Sequence, residues 1–240
     1  MKKISSLLLI GIIFTQTVFS QAEKRPRLVE VSFFAGPTIM WASSKTQDYK
    51  REGAKIGGVY GVGTDINLAR PLQNYYFTTG ITARHIRSTL SFPDNYHVPY
   101  SDKILDSSIV KATYNAVYVT IPTAIKLKTD PFGRFIIYGT VGLDHGVCVS
   151  SKNKDEVTNK AKVETYKKVD MYKKTLFFRE ALIASVGFDF IIKGNTKATF
   201  AFVFNNAFTN SYRKTYTNNI SGEKVSANTR GFEFQFGFIF

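Results

Sequence analysis

The chain has 240 residues, 44% of them hydrophobic, with 32 Lys and Arg against 18 Asp and Glu for a formal charge of +14. This length fits a single domain, and the one cysteine, Cys148, excludes both a disulfide framework and a thiolate metal cluster. The basic surplus suggests anionic surroundings, but no helix-turn-helix, RNP or zinc-finger spacing occurs, so nucleic acid is not expected as a partner.

The chain starts with Lys2 and Lys3, a short positive region ahead of an apolar stretch from Ile4 to Phe19. This is the pattern of a signal peptide over 1–20, and Ser20 supplies the small residue before a cut ahead of Gln21. The stretch is shorter than the roughly 20 apolar residues of an N-terminal membrane anchor. No Cys stands at the cut, which excludes lipidation there. Removing the two leader lysines leaves 30 basic and 18 acidic residues, a surplus of +12. What remains is a short basic tail over 21–27, with Lys24, Arg25 and Arg27, and a body over 28–240. Within that body no segment reaches about 18 consecutive apolar residues, so no membrane-spanning helix is expected.

A two-residue period, in which successive side chains point to opposite faces of a strand, runs through the body. Val29, Val31, Phe33, Ile39 and Trp41 alternate with Glu30, Ser32, Gly36 and Thr38, and Tyr60, Val62, Ile66 and Leu68 with Gly61, Gly63, Asp65 and Asn67. The segment from Tyr75 to Leu90 is a less regular third strand. Val117, Val119, Ile121, Ile125 and Leu127 then alternate with Tyr118, Thr120, Ala124 and Lys126. Next, Phe135, Ile137, Val141 and Leu143 alternate with Tyr138, Thr140, Gly142 and Asp144. A sixth strand sets Leu176, Phe178, Leu182, Val186, Phe188 and Phe190 against Arg179, Ser185, Gly187 and Asp189, and Glu180 breaks its phase. The seventh sets Ala198, Phe200, Phe202, Phe204 and Phe208 against Lys197, Thr199, Ala201, Val203, Asn205 and Thr209. In the last, Phe232, Phe234, Phe236, Phe238 and Phe240 share one face.

Five successive Phe on one face would need a very wide core in a water-soluble sandwich, whereas in a barrel they meet lipid directly. A final aromatic residue such as Phe240 is also what outer-membrane insertion machinery commonly reads. Short turns at Arg70-Pro71, Asp130-Pro131 and Gly194-Asn195 alternate with long polar loops beginning near Ala42, Ser91, Ser150 and Asn210. Short turns on the periplasmic side and long loops outside are the outer-membrane pattern. The predicted fold is all-β: an eight-stranded antiparallel up-and-down transmembrane β-barrel in a bacterial outer membrane.

On this phase Glu30, Asp65, Asp144, Asp189 and Glu233 point inward together with Arg84, Lys126, Lys128, Arg179 and Lys197. A barrel of about eight strands is only wide enough for its own side chains, so a balanced set predicts an internal salt-bridge network rather than an open pore. The surplus positive charge then falls mainly in the third loop, at Lys152, Lys154, Lys160, Lys162, Lys167, Lys168, Lys173 and Lys174. That run suits either a solvated loop or docking to phosphate-bearing lipopolysaccharide or an acidic partner.

The residues with catalytic potential near the outer rim are His85, His97, His145, Asp144, Ser150 and Ser151. Asp144 and His145 are neighbours on a strand and face opposite ways, so they cannot orient one another. No pairing across strands is visible in the sequence, and neither His-x-His nor Cys-x-x-Cys spacing occurs. No catalytic, cofactor-binding or metal site is therefore assigned, and no enzymatic activity is expected.

Two stretches carry a resemblance: Asn74-Tyr75-Tyr76-Phe77-Thr78-Thr79-Gly80-Ile81 and Tyr118-Val119-Thr120-Ile121-Pro122, supported by Tyr138-Gly139-Thr140-Val141-Gly142 and the terminal Gly237 to Phe240. They resemble the PorT-like outer-membrane β-barrel family of Bacteroidetes, with Thr120 where members often carry Glu. The resemblance implies an eight-stranded barrel and an accessory or assembly role in type IX protein secretion, without catalysis, beside other secretion-system proteins. A structural or surface-binding barrel is the alternative, and a lipid A-modifying enzyme or protease a third.

Overall fold

The computed structural model describes residues 27–69, 72, 74–160 and 162–240. The segment 1–20 expected to be a leader, residues 21–26 of the expected basic tail with Lys24 and Arg25, and the Arg70-Pro71 turn lie outside the described residues. Nine strands form in chain order: β1 (Val29–Ser44), β2 (Lys50–Asn67), β3 (Tyr75–His97), β4 (Ile104–Lys128), β5 (Phe135–Asn159), β6 (Lys162–Asp170), β7 (Phe178–Lys193), β8 (Thr196–Ala207) and β9 (Ala227–Ile239). No helix occurs among the described residues. All strands but β6 make an eight-stranded antiparallel barrel in which chain neighbours pair, β5 pairs β7, and β1 closes onto β9. β6 folds back on the upper part of β5 alone.

The eight predicted strands are all present, but three of them are far longer than expected. A tilted strand crosses a bilayer in about 9–11 residues, whereas β3 has 23 residues and β4 and β5 have 25 each. The surplus stands above the membrane as a crown of paired strands. The loops expected near Ser91 and Ser150 are therefore upper strand, with Ser91 opposite Lys111, and Lys152 and Lys154 opposite Asn115 and Thr113. The polar residues that suggest a loop are the outer, water-facing half of an alternating pattern that continues.

Where the membrane ends is written in the side chains. On β4 the outward residues Val117, Val119, Ile121, Ile125 and Leu127 are apolar, and those above them, Asn115, Thr113 and Lys111, are polar. The inward residues change the opposite way, from Lys128, Lys126 and Thr120 below to Tyr118, Tyr114, Ala112 and Val110 above. β3 repeats this, with Ile81 outward below and Arg87 above, and Arg84 inward below and Ile86, Leu90, Phe92 and Tyr96 above. The outward stretch 117–127, apolar except at Thr123, spans, at about 3.3 Å per residue and a tilt of about 45°, roughly 25 Å, the height of the lipid-facing band of such barrels. Trp41, stacked under the Arg51 guanidinium at 4.9 Å, marks its upper rim.

The wall within that band is aromatic on one side. Phe202 packs on Phe232 and Phe234 at 5.0 and 5.3 Å, and Phe200 on Phe236 and Phe188 at 5.0 and 5.5 Å, across β7, β8 and β9. Such cross-strand pairs fix register, because a one-residue slip would turn every ring into the lumen. Inside, Gly187 makes room for the Tyr138 ring, whose oxygen would lie 2.6 Å from a Cβ at that position. The Tyr138 hydroxyl reaches across to donate to the Phe200 carbonyl at 3.1 Å. At the lower end Gly194, at φ +58°, turns β7 into β8.

The 208–226 connection, expected as a polar loop, folds over the mouth instead. Tyr212 and Val225 are buried, Asn218 donates to the Pro93 carbonyl at 2.8 Å, and the Asn219 amide donates to the Asp94 carboxylate at 2.9 Å. This connection thus spans from β8 to the tip of β3 and covers part of the crown's mouth.

Phe236 faces lipid, 55% exposed, while Gln235 faces inward and donates to the Glu233 carboxylate at 2.8 Å. Phe236→Arg is expected to destabilise the barrel by about 2–4 kcal/mol near mid-bilayer. Gln235→Arg, beside a carboxylate in the lumen, is expected to cost clearly less. Urea unfolding in lipid vesicles, followed by the fluorescence of Trp41, measures both; equal effects would refute the assigned faces.

Candidate functional site

The lower lumen holds two layers of charge. In the first, the Lys128 ammonium donates to Glu30 at 2.6 Å and lies 3.6 Å from Asp65 and 3.4 Å from Asp189. Lys197 takes the other oxygen of Glu30 at 2.6 Å, and Lys126 takes Asp65 at 2.6 Å. The rings of Tyr76 and Tyr138 lie beneath Lys128 and Lys126 at 4.6 and 4.9 Å. In the second layer Arg84 donates to both Asp144 oxygens at 2.7 and 2.8 Å, to Glu233 at 2.8 Å, and to the Thr120 hydroxyl. Arg179 lies 3.6 Å from Asp144 and donates to Asn205 at 2.6 Å, and Asn205 donates to Glu233 at 3.2 Å. All ten inward charges predicted from the sequence are in these two layers, five of each sign. A cavity of about 100 Å³ lined by Asp65, Arg84 and Lys126 separates them.

Above the charges the lumen is apolar and aromatic. Tyr114 meets Tyr212 edge-on at 5.8 Å, Tyr212 meets Tyr216 at 5.3 Å, and Tyr49 stacks on Phe92 at 4.3 Å. Between these rings and the covering connection lies a second cavity, of about 290 Å³, lined by Phe92, Asp94, Tyr96, Asn153, Asp155 and Tyr216, with His97 and Lys174 at its edge. Asp155 accepts from the Tyr96 hydroxyl at 2.9 Å through one oxygen; its other oxygen and the side-chain oxygen of Asn153 have no hydrogen-bond partner. Burial pushes the Asp155 carboxyl up to about 6, and raises that of Asp94 as well. None of these residues stands out in the sequence, because Phe92, Asp94 and Tyr96 fall where a loop is expected. The signal was the alternation itself, which keeps its period past Ser91.

The residues with catalytic potential are scattered. Asp144 is inside with Arg84, whereas His145 is outside, as their strand positions require. His85 lies against the outward ring of Tyr60 at 5.8 Å, and His97 is exposed at the tip of β3. Ser151 is buried and accepts from the Thr175 hydroxyl at 2.7 Å, and Ser150 sits at a bulge in the β4–β5 pairing. A pairing across strands that the sequence hides does form on the outer wall. His145 Nδ1 is 2.6 Å from the Glu180 carboxylate, and its Nε2 is 2.8 Å from the Thr123 hydroxyl. Register brings them together, with His145 opposite Glu180 on β7 and Thr123 two residues along β4 from Ile121, its opposite number. Glu180 thus stays in phase, outward, with its charge met by an imidazole.

A scan against family models matches residues 19–213 to the outer membrane protein beta-barrel domain. The chain belongs to that family. No curated protein matches it in sequence. Among solved structures it is similar to Neisserial surface protein A, with 14% identity over 89% of this chain and 96% of that one at a TM-score of 0.46. It is also similar to the attachment invasion locus protein Ail of Yersinia pestis, with 9% identity over 89% and 100% at 0.38. A third is the outer membrane protease OmpT of Escherichia coli, with 9% identity over 92% and 99% at 0.39. As an outer-membrane barrel, the chain sets the apolar wall of β4, β7, β8 and β9 against lipid and the lysines of β5 and β6 in water. Lys154 pairs with Glu156 at 2.6 Å and Lys162 with Glu164 at 2.9 Å on that outer face. The lysine run is therefore largely strand surface, and Lys174, in the turn after β6, is exposed and lies over the Tyr216 ring at 5.1 Å.

Arg84→Met removes the cation held between two fully buried carboxylates, and breaking such a pair costs about 3–5 kcal/mol. The same vesicle unfolding experiment measures it, with a loss below about 1 kcal/mol counting against the network as a support of the barrel.

The pH dependence of the crown follows from Asp155. Its carboxyl titrates near 6 in the folded protein and at the ordinary 3.8 unfolded, so the folded state holds its proton more tightly. Its stabilising contribution is complete below the unfolded value and is lost as pH rises through the folded one, by up to about 3 kcal/mol. Asp155→Asn is expected to flatten the fall in stability between about pH 4 and pH 7 and to be more stable than the parent above it. Urea titrations of both proteins at the two ends of that window test this.

Proposed function

We propose that this protein is a non-enzymatic outer-membrane component that works by binding, as an accessory or assembly part of protein secretion. The observation that carries the binding reading is the filled lumen: two layers of paired charge below and an aromatic, covered crown above leave the wall and the crown as working surfaces. The basic outer face of β5 and β6 suits phosphate-bearing lipopolysaccharide, and the Phe wall suits the lipid around it. The leader over 1–20, cut after Ser20, would deliver the chain across the inner membrane. Assignment to type IX secretion rests on the resemblance of 74–81 and 118–122 to the PorT-like family.

The Glu180–His145–Thr123 row supports a second reading, a hydroxyl nucleophile with its base and orienting acid facing lipid. The neighbouring backbone amides belong to the β4–β5 and β5–β7 ladders, which leaves no donor pair for a developing oxyanion. Binding is therefore preferred over catalysis.

Deletion of the gene is expected to leave type IX cargo in the periplasm as unprocessed precursor. A variant with His85, His97, His145, Ser150 and Ser151 replaced by Ala is expected to restore export. Normal cargo processing in the deletion strain would remove the secretion role and leave a surface-binding barrel. Failure of the variant, when present in the outer membrane at parental levels, would favour chemistry at His145.

A further inference from the structure

The crown cavity poses an electrostatic problem that the rest of the molecule avoids. Each charge of the lower lumen has an opposite charge within 3.6 Å, but Asp155 and Asp94 have no such partner among the described residues. Asp94 is served by Asn219, through its backbone amide at 2.9 Å and its side chain at 3.2 Å. Asp155, only 4% exposed, accepts from the Tyr96 phenol on one oxygen, and its other oxygen has no hydrogen-bond partner among the described residues, although the neighbouring Asn153 amide also favours the charged carboxylate. Asn153, equally buried beside it, offers a second unused acceptor oxygen. Lys174 lines the cavity from its exposed side, over the Tyr216 ring, and its charge acts on both carboxyls from a distance without forming an ion pair among the described residues. An unpaired buried carboxylate is among the costlier features a fold can keep.

The walls indicate what would relieve that cost. Tyr96, Tyr216 and Phe92 present aromatic rings to the same space as the free Asp155 oxygen. Aromatic faces around a carboxylate attract a cation, and two unused acceptors ask for a ligand with N–H donors. The cavity of about 290 Å³ admits a small molecule and not a folded partner. It lies in the crown, above the lipid-facing band, so its occupant comes from the medium and not from the bilayer.

We propose that the crown cavity is a binding site for a small aliphatic ammonium ion, held by Asp155 Oδ1 and Asn153 Oδ1 and enclosed by Tyr96, Tyr216 and Phe92. The lysine-bearing outside of the crown repels such a cation, so the selectivity belongs to the enclosed carboxylate and not to the surface. This site stands apart from the secretion reading and does not depend on it.

The test uses the full mature barrel refolded in detergent, with n-butylamine as the probe and isosteric neutral n-butanol as its control. Saturable butylamine binding is expected by calorimetry, with saturation transfer from aromatic ring protons to the butyl methylenes. Asp155→Asn is expected to weaken binding at least tenfold, while Asp102→Asn, an exposed acid outside the cavity, leaves it unchanged. Because the saturation transfer is read on the parent protein, the proposal stays exposed even if the Asp155 variant does not fold. Equal affinity for butanol would make the cavity a neutral apolar site and overturn the proposal. So would unchanged affinity in Asp155→Asn, or no binding by the parent protein.

Discussion

Hydrocarbon offers no hydrogen-bond partner to a peptide group, and the architecture follows from that one constraint. A sheet inside a membrane must leave no edge, so β1 has to meet β9, and every amide between them must find a carbonyl in the ring. With eight strands the ring is narrow. Outward positions are taken by apolar side chains because they touch lipid, which leaves polar and charged residues to face inward. A narrow space of low dielectric tolerates charges only as hydrogen-bonded pairs, hence the layers around Lys128 and Arg84. Arg84 is the keystone of the upper layer, since it binds both Asp144 on β5 and Glu233 on β9 directly.

At the membrane surface the solvent changes and the same strands reverse their faces. Above Val117 and Ile81 water lies outside, so lysines and amides turn outward while Tyr, Phe and Val turn in. The crown is then an ordinary water-soluble β-structure continuous with a membrane one. It needs a cover that the barrel does not, and the 208–226 connection supplies it through Tyr212 and Val225. The two unpaired acids in its aromatic interior depart from the rule of paired burial that the lumen obeys, which is why that cavity draws a functional reading.

The outer wall shows how register creates chemistry that alternation alone does not. Glu180 is a charge on a lipid-facing position, a costly placement by itself. The pairing of β5 with β7 sets His145 directly opposite, and the Thr123 hydroxyl completes the row. Three polar side chains so joined satisfy one another where lipid cannot.

The alternation of apolar and polar residues was enough to place all eight barrel strands, the inward set of ten charges and the lipid-facing Phe ladder. Those features depend only on which face a residue occupies, and a period of two specifies that locally. Where the apolar face reversed, the same period looked like loop, so the upper halves of β3, β4 and β5 and the whole of β6 were not legible. Which lysine meets which carboxylate, the meeting of Glu180 with His145, and the gathering of Asp155, Tyr96 and Tyr216 around one cavity were decided by the tertiary structure. These contacts join residues tens of positions apart, and only the closure and register of the whole ring bring them within hydrogen-bonding distance.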